Sequence, residues 1–140
     1  SLPSMQQVFA VNAFGPILLA QALMPWLKVR RPVLFTSLSA RVGSIGDNRL
    51  GGWYSYRASK AALNMLIKTA SIEWARTKPN TALISMHPGT VNSGLSKPFR
   101  GEQIGRPAHD AVADMFRVIE SLKKEDSGSF ISYSGERLPW

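Results

Sequence analysis

Three short apolar, β-rich runs alternate with helical segments along this chain, and this alternation limits the possible folds more than any other feature. The runs are residues 32–38, 81–87 and 129–133, and helical patterns cover 4–28, 54–76 and 107–123. Buried strands joined by helices form right-handed crossovers, which produce a parallel sheet. The sequence therefore predicts an α/β fold with about three neighbouring parallel strands, in chain order, and three main helices.

The first helical segment, 4–28, carries apolar residues at helical spacing and a polar Asn12 on or near that stripe. A buried amide must find hydrogen-bond partners or cost about 1–3 kcal/mol. Asn12 is therefore expected either at an ordinary helix–helix contact or at a site. The apolar run is interrupted before it reaches the ~18 residues of a membrane span, so no membrane association is expected; the interrupting residues are Pro16, Gln21, Pro25 and Trp26.

The segment 52–64 opens the clearest helix of the sequence and contains Tyr56 and Lys60. Residues four apart lie on one helical face, about one turn from each other. A free tyrosine has a pKa near ~10, and a cation held beside it favours the phenolate. The pair is thus a candidate proton donor and acceptor. Tyr54, the competing phenol, falls on a different part of the helix surface.

The same helix, 54–76, is expected to bury one apolar stripe. Its predicted members are alanines and longer apolar or β-branched residues at helical spacing: Ala58, Ala61, Ala62, Met65, Leu66, Thr69 and Ile72. Pro79 and Asn80 are expected to end the helix.

The first apolar run ends in Ser37-Leu38-Ser39, at the tip of a predicted buried strand. Parallel sheets place their chemistry at the carboxyl ends of strands. Ser39 is therefore a candidate donor to a substrate carbonyl, where it would stabilise developing negative charge. An ordinary turn serine is the alternative. His87, at the end of the second run, is expected to pack there without a catalytic role.

Composition narrows the function classes. A chain of 140 residues suits one domain, and its lack of cysteine gives no indication of disulfide or thiolate chemistry. The net charge of +8 raises the possibility of nucleic-acid binding, but the basic residues are scattered and no aromatic-interleaved basic stripe occurs. We therefore expect a cytoplasmic protein without a nucleic-acid partner or a metal site.

Several motifs together resemble the short-chain dehydrogenase/reductase family, in particular its C-factor-like and sniffer-like carbonyl reductases. They are Tyr-x-Ala-Ser-Lys-Ala-Ala-Leu from Tyr56, Arg41-Val42-Gly43-Ser44-Ile45, the run from Gly51 to Arg57, and the ending from Gly128 to Trp140. The resemblance extends over essentially the whole chain but covers only the later half of that family's usual length. It implies the C-terminal half of a Rossmann-like, doubly wound parallel sheet, as a single partial domain over 1–140.

The resemblance also implies roles for the catalytic residues. Tyr56 would be the acid/base, Lys60 would lower the pKa of Tyr56 and orient the ribose, and Asn12 would hold a water linked to Lys60. The family's usual serine corresponds to Ala40 here. That departure leaves Ser39, one residue earlier, and Ser44 as candidates for polarising the carbonyl.

For the cofactor, the resemblance implies that Pro88, Gly89, Val91 and Ser93 contact the nicotinamide carboxamide, with Ser93 in place of the usual threonine. Tyr56 and Lys60 would also contact the cofactor, which is NADP or NAD, with NADP slightly favoured. The substrate would be a small carbonyl compound or alcohol. A homo-oligomer is implied through the helices at 4–28 and 54–76.

The 140 residues contain no Gly-rich turn of the kind that binds a dinucleotide pyrophosphate. We therefore expect the catalytic half of a hydride-transfer enzyme without its main cofactor-anchoring half, inactive as this chain. A non-catalytic relative of the family that acts as a binding or dimerisation module is the alternative.

Overall fold

The computed structural model describes residues 1–27, 30–94, 96 and 101–140. Five α-helices and three strands make up its regular structure. The helices are α1 (Leu2–Phe9), α2 (Gly15–Leu23), α3 (Tyr54–Thr77), α4 (Gly101–Ile104) and α5 (Ala108–Ser121). The strands are β1 (Val33–Leu38), β2 (Thr81–His87) and β3 (Ser129–Ser132).

The three strands form one parallel sheet in the order β1-β2-β3. Val33 pairs with Thr81 at one end of the β1–β2 ladder, and His87 pairs with Ser132 at the end of the β2–β3 ladder. The predicted α/β fold and strand order are confirmed. Within the described residues, β1 pairs along one edge only.

The first helical segment is interrupted by a π-helical turn, Ala10–Phe14, between α1 and α2. The Gly15 N–H donates to Ala10, five residues earlier. Pro16 has no N–H to give to the carbonyl of Asn12, and its ring would crowd that carbonyl in a regular helix. The wider π turn relieves this crowding, and such turns occur often at functional sites.

The helical stretch Leu2–Leu27 contains an 18-residue window with a mean hydropathy of 1.6, so it is long and apolar enough to cross a membrane by length and composition alone. The expectation that Pro16 and Gln21 break the run too early was therefore wrong, because both are accommodated within continuous helical structure. Lys28, the predicted end of this segment, lies outside the described residues.

The main core lies between α2, α3 and the first two strands. Its buried members are Ala20, Leu63, Ile67, Ala70, Trp74 and Leu83. The predicted α3 stripe was wrong: none of its seven members is fully buried. Ala61, Ala62 and Leu66 are half-buried, and the exposed members are Ala58, Met65, Thr69 and Ile72. The buried face runs instead through Ser59, Lys60, Leu63 and Asn64 at its site end. The prediction failed because it assumed that only apolar residues would be buried, whereas three residues of this face are polar.

Candidate active site

A cavity of about 450 Å³ opens at the carboxyl ends of β1 and β2. Its walls come from the strand tips, the loop between β1 and α3, the start of α3 and the segment after β2. Tyr56 and Ser39 line it, together with Pro88, Gly89 and Val91. The structure thus brings several predicted site residues to one cavity, at the sheet edge where parallel α/β proteins bind ligands.

Tyr56 and Lys60 lie on one face of α3. The Lys60 Nζ is 6.0 Å from the centroid of the Tyr56 ring. It donates a hydrogen bond of 2.8 Å to the main-chain oxygen of Leu38, the last residue of β1. Since an ammonium has three donors, this bond fixes the lysine and leaves two N–H groups for other acceptors.

Burial acts on both members of this pair. It raises the pKa of the Tyr56 phenol and lowers the pKa of the Lys60 ammonium, because desolvation disfavours each charged form. The direction for Tyr56 is opposite to the one expected from the neighbouring lysine. In this chain, burial of the phenol outweighs a cation that is itself directed toward the Leu38 carbonyl.

Asn12 reaches α3 from the π-helical turn. Its Nδ2 donates to the Oγ of Ser59 at 3.1 Å, and that hydroxyl donates to the main-chain oxygen of Tyr56 at 2.9 Å. Ser59 is fully buried. The Asn12 amide therefore has a hydrogen-bond partner. That partner, Ser59, precedes Lys60 in the sequence and links Asn12 to the main chain of Tyr56.

The hydroxyls of Ser39 and Ser44 are both engaged within the protein. Ser39 Oγ donates to Asn64 Oδ1 at 2.7 Å in the buried interior. Ser44 Oγ donates to the main-chain oxygen of Trp140 at 3.3 Å and accepts from the Asp47 N–H. A hydroxyl has one proton to give. Either serine would have to break its own bond before donating to a substrate.

Gly43 allows the turn after β1 to approach α3 closely. A Cβ at this position would lie 2.7 Å from the Lys60 Cβ and 2.8 Å from its carbonyl carbon. Real Cβ atoms do not approach backbone so closely, so any larger residue would push the turn away from α3. The glycine thereby fixes one wall of the cavity relative to Lys60.

The segment after β2 is held by neighbours on two sides. Gly89 has φ +80°, and a Cβ there would meet the Tyr133 ring at 2.8 Å. Val91 forms a parallel bridge with Arg106, whose guanidinium lies 4.8 Å from the centroid of the Tyr133 ring. Ser93 accepts through its main-chain oxygen a bond from Ser96 Oγ. These contacts give the predicted nicotinamide segment a fixed course along the cavity.

His87 is a cavity residue that the sequence did not identify as functional. Burial and the nearby Arg41 lower its pKa to about 4, against a smaller opposing effect of Glu136. Its Nδ1 is buried without a hydrogen-bond partner. The only sequence signal that could have indicated it is its place at the end of the second apolar run, directly before Pro88 and Gly89. Among the described residues, no group of three or more acidic or histidine side chains could hold a metal ion.

Residues 1–104 match the family model for short chain dehydrogenases. The C-signal protein of Myxococcus xanthus is 37% identical over 136 residues, which cover 97% of this chain and 78% of that protein. The 1-hydroxy-2-glutathionyl-2-methyl-3-butene dehydrogenase of a Rhodococcus strain is 36% identical over 130 residues, or 93% of this chain and 56% of that one.

Solved structures agree in fold. NADPH-bound carbonyl reductase from chicken fatty liver superposes with a TM-score of 0.86 at 30% identity, and carbonyl reductase Sniffer of Drosophila melanogaster with 0.88 at 26%. Each comparison covers 100% of this chain and 58% of the other. The chain thus spans little more than half the length of most relatives cited, and the resemblance inferred from its motifs is confirmed.

Proposed function

Because the chain belongs to the short-chain dehydrogenase family, we propose that it forms the catalytic half of an NAD(P)-dependent oxidoreductase acting on a carbonyl compound or alcohol. The observation that carries the proposal is that Tyr56, whose ring centroid lies 6.0 Å from the Lys60 Nζ, lines the same cavity as Pro88, Gly89 and Val91. Proton transfer and a nicotinamide-sized binding surface would then share one site.

Tyr56 would donate its proton to the substrate oxygen during reduction and take one back during oxidation. Lys60, anchored on Leu38, would place its two remaining N–H groups toward the ribose and the phenol. The contact from Asn12 through Ser59 to the Tyr56 backbone would hold this end of α3 in position. Positioning of this kind can supply a large part of a catalytic advantage.

The residues present fit the nicotinamide end of the cofactor. Gly89 brings main chain to the cavity wall, and a volume of about 450 Å³ is within the usual range for ligand sites. When bound, the nicotinamide supplies or accepts the hydride. NADP is favoured over NAD, since NADP or NADPH is bound in three of the solved relatives, the chicken fatty liver reductase, a Burkholderia multivorans protein and a Pseudomonas aeruginosa carbonyl reductase. The pyrophosphate has no Gly-rich turn in these 140 residues.

We also propose self-association through α1–α2 and α3. Leu18 and Leu19 of α2 and Met65 and Ile72 of α3 are each more than half exposed. Apolar patches of this kind mark interaction surfaces. A second copy of the chain is the occupant that the family resemblance implies.

The alternative function is a non-catalytic binding or dimerisation module. It is favoured by the engaged hydroxyls of Ser39 and Ser44 together with the same exposed apolar side chains. The two functions differ in their response to Tyr56→Phe in a form of the protein that binds NADPH. Loss of carbonyl reduction while NADPH is still bound supports the oxidoreductase, whereas an absence of turnover before and after the substitution supports the module.

A further inference from the structure

The cavity has a polar side chain at each of two strand tips, and the two differ in whether their hydrogen-bonding groups are already engaged within the protein. Ser39 follows β1 and His87 ends β2. Ser39 Oγ donates its only proton to Asn64 Oδ1. Breaking that bond would leave a buried acceptor without a hydrogen-bond partner, at a cost of about 1–3 kcal/mol. His87 has no side-chain hydrogen bond within the described residues.

The ring of His87 is neutral at physiological pH, because burial and Arg41 hold its pKa at about 4. A neutral imidazole carries one N–H and one lone pair. Nδ1 is enclosed without a partner. Buried N–H groups are left unpaired less often than buried acceptors. The proton is therefore assigned to Nε2, which has no hydrogen-bond partner among the described residues and belongs to a ring that lines the cavity.

Resting on the function proposed above, we propose that His87 is a second catalytic residue, whose Nε2–H donates a hydrogen bond to the substrate oxygen that exchanges its proton with Tyr56. During reduction a hydride forms the new C–H bond, and the π electrons of the carbonyl move to the oxygen. That oxygen takes the Tyr56 proton, NAD(P)H becomes NAD(P)⁺, and His87 keeps its own proton throughout.

The surroundings of His87 hold the ring in place for this role. Its main-chain oxygen accepts a bond of 2.8 Å from the Tyr133 N–H, and its ring meets the edge of Tyr133 at a centroid distance of 6.4 Å. The charged groups beside it are Arg41 and Glu136, which bond to each other at 3.0 Å. A donor fixed before the reaction stabilises a developing oxyanion without reorganisation.

Nitrogen-15 NMR of the 140-residue chain tests the proposal without any cofactor, so its outcome is separate from that of the turnover assay. The chain has two histidines. A His109→Gln variant removes the other one, whose side chain is 83% exposed. At pH 7 the His87 ring should show the Nε2–H tautomer. An Nδ1–H tautomer or a protonated ring at this pH would overturn the proposal.

Benzaldehyde and toluene form a matched pair of probes, differing in the carbonyl oxygen. Benzaldehyde, and not toluene, should shift the His87 Nε2 resonance. In His87→Phe the affinity for benzaldehyde should fall roughly twofold to tenfold, the worth of one hydrogen bond, with toluene unaffected. His87→Gln, which keeps an N–H donor, should retain most of the preference for the aldehyde. This variant also keeps the test informative if His87→Phe does not fold. The proposal is contradicted if Nε2 does not shift up to the solubility limit of the aldehyde, or if both probes shift it equally. His87 would then only pack at the end of β2.

Discussion

Lys60 of α3 is bonded to the last residue of β1: its Nζ lies 2.8 Å from the main-chain oxygen of Leu38. This bond joins the helix that carries Tyr56 to the tip of the first strand. It also explains how an ammonium is tolerated in a residue that is only 9% exposed. Buried charges are stable in proteins only when they have hydrogen-bond partners.

Replacing Lys60 by Met should lower the free energy of unfolding by about 1–2 kcal/mol, because the Leu38 oxygen loses its charged donor while the buried volume is kept. Chemical denaturation monitored by tryptophan fluorescence measures the change. Arg76→Met, an exposed substitution on the same helix, should change the stability by less than about 0.5 kcal/mol. Equal effects of the two substitutions would show that the Lys60–Leu38 bond contributes nothing to stability.

Gly43→Ala should destabilise the chain by about 1–3 kcal/mol, since the new methyl group would meet the Lys60 main chain at 2.8 Å. Gly94→Ala is the matched control, because a Cβ there has nothing within 4 Å. Thermal melts of both variants compare the costs. If Gly43→Ala melts at the same temperature as Gly94→Ala, the turn after β1 is not held against α3 as described.

The fold could be predicted from the sequence because each strand is a short apolar run bounded by turn residues, a local signal. The buried face of α3 could not be predicted fully. Ser59, Lys60 and Asn64 are buried there, although each would be placed at the surface by hydrophobicity alone. Their burial is stabilised by partners far along the chain, Asn12, Leu38 and Ser39, which no local pattern reveals.

Only part of the candidate site carries a signal in the sequence. Tyr56 and Lys60 stand out because their spacing matches a helical turn, and the segment from Pro88 to Ser93 because of its resemblance to a family motif. His87 carries no such pattern, since one histidine at a strand end is compatible with simple packing. Burial and the nearby Arg41 lower its pKa, and its Nδ1 is enclosed without a hydrogen-bond partner; both depend on the tertiary structure.

The lowered pKa of His87 should make stability depend on pH between about 6.5 and about 4. In this window the unfolded state binds a proton that the folded state excludes, so stability falls as the pH falls, with no further change from this group below about 4. The loss should be about 1–2 kcal/mol after allowance for partial solvent contact of the ring. Denaturation curves at pH 7 and pH 4.5 measure it.

Other groups also contribute to the pH dependence of stability in any protein, so the informative quantity is the difference between variants. His87→Gln should reduce the pH dependence between 7 and 4.5 by more than the control His109→Gln, at a side chain that is 83% exposed. An undiminished pH dependence in His87→Gln would show that the ring is not kept neutral by its surroundings.

Self-association through α2 and α3 should be weakened by charge on the exposed apolar surface. Leu18→Glu combined with Met65→Glu places carboxylates at two positions that are 60% and 67% exposed. Sedimentation at several concentrations should show a shift from dimer to monomer. Phe116→Glu, on α5 and 59% exposed, is the control and should leave the association unchanged. A reversed pattern would assign the contact to α5.

The 140-residue chain alone should bind NADPH and NADH weakly and should catalyse little or no carbonyl reduction. Hydride transfer needs the reacting atoms held about 3–3.5 Å apart, and binding free energy from the remote parts of a cofactor is what holds them there. The chain can offer Tyr56, Lys60 and the wall from Pro88 to Val91. It offers no Gly-rich turn for the pyrophosphate.

A fluorescence titration with both cofactors, run beside a reduction assay on a simple aldehyde, measures the two quantities. Because the contacts of the pyrophosphate and adenosine are what the chain lacks, saturation should not be reached and turnover should not exceed the rate without protein. Tyr56→Phe should then change neither result. Tight, saturable binding together with turnover that Tyr56→Phe abolishes would mean that the nicotinamide wall and the Tyr56–Lys60 pair suffice for catalysis, and that these 140 residues are an enzyme by themselves.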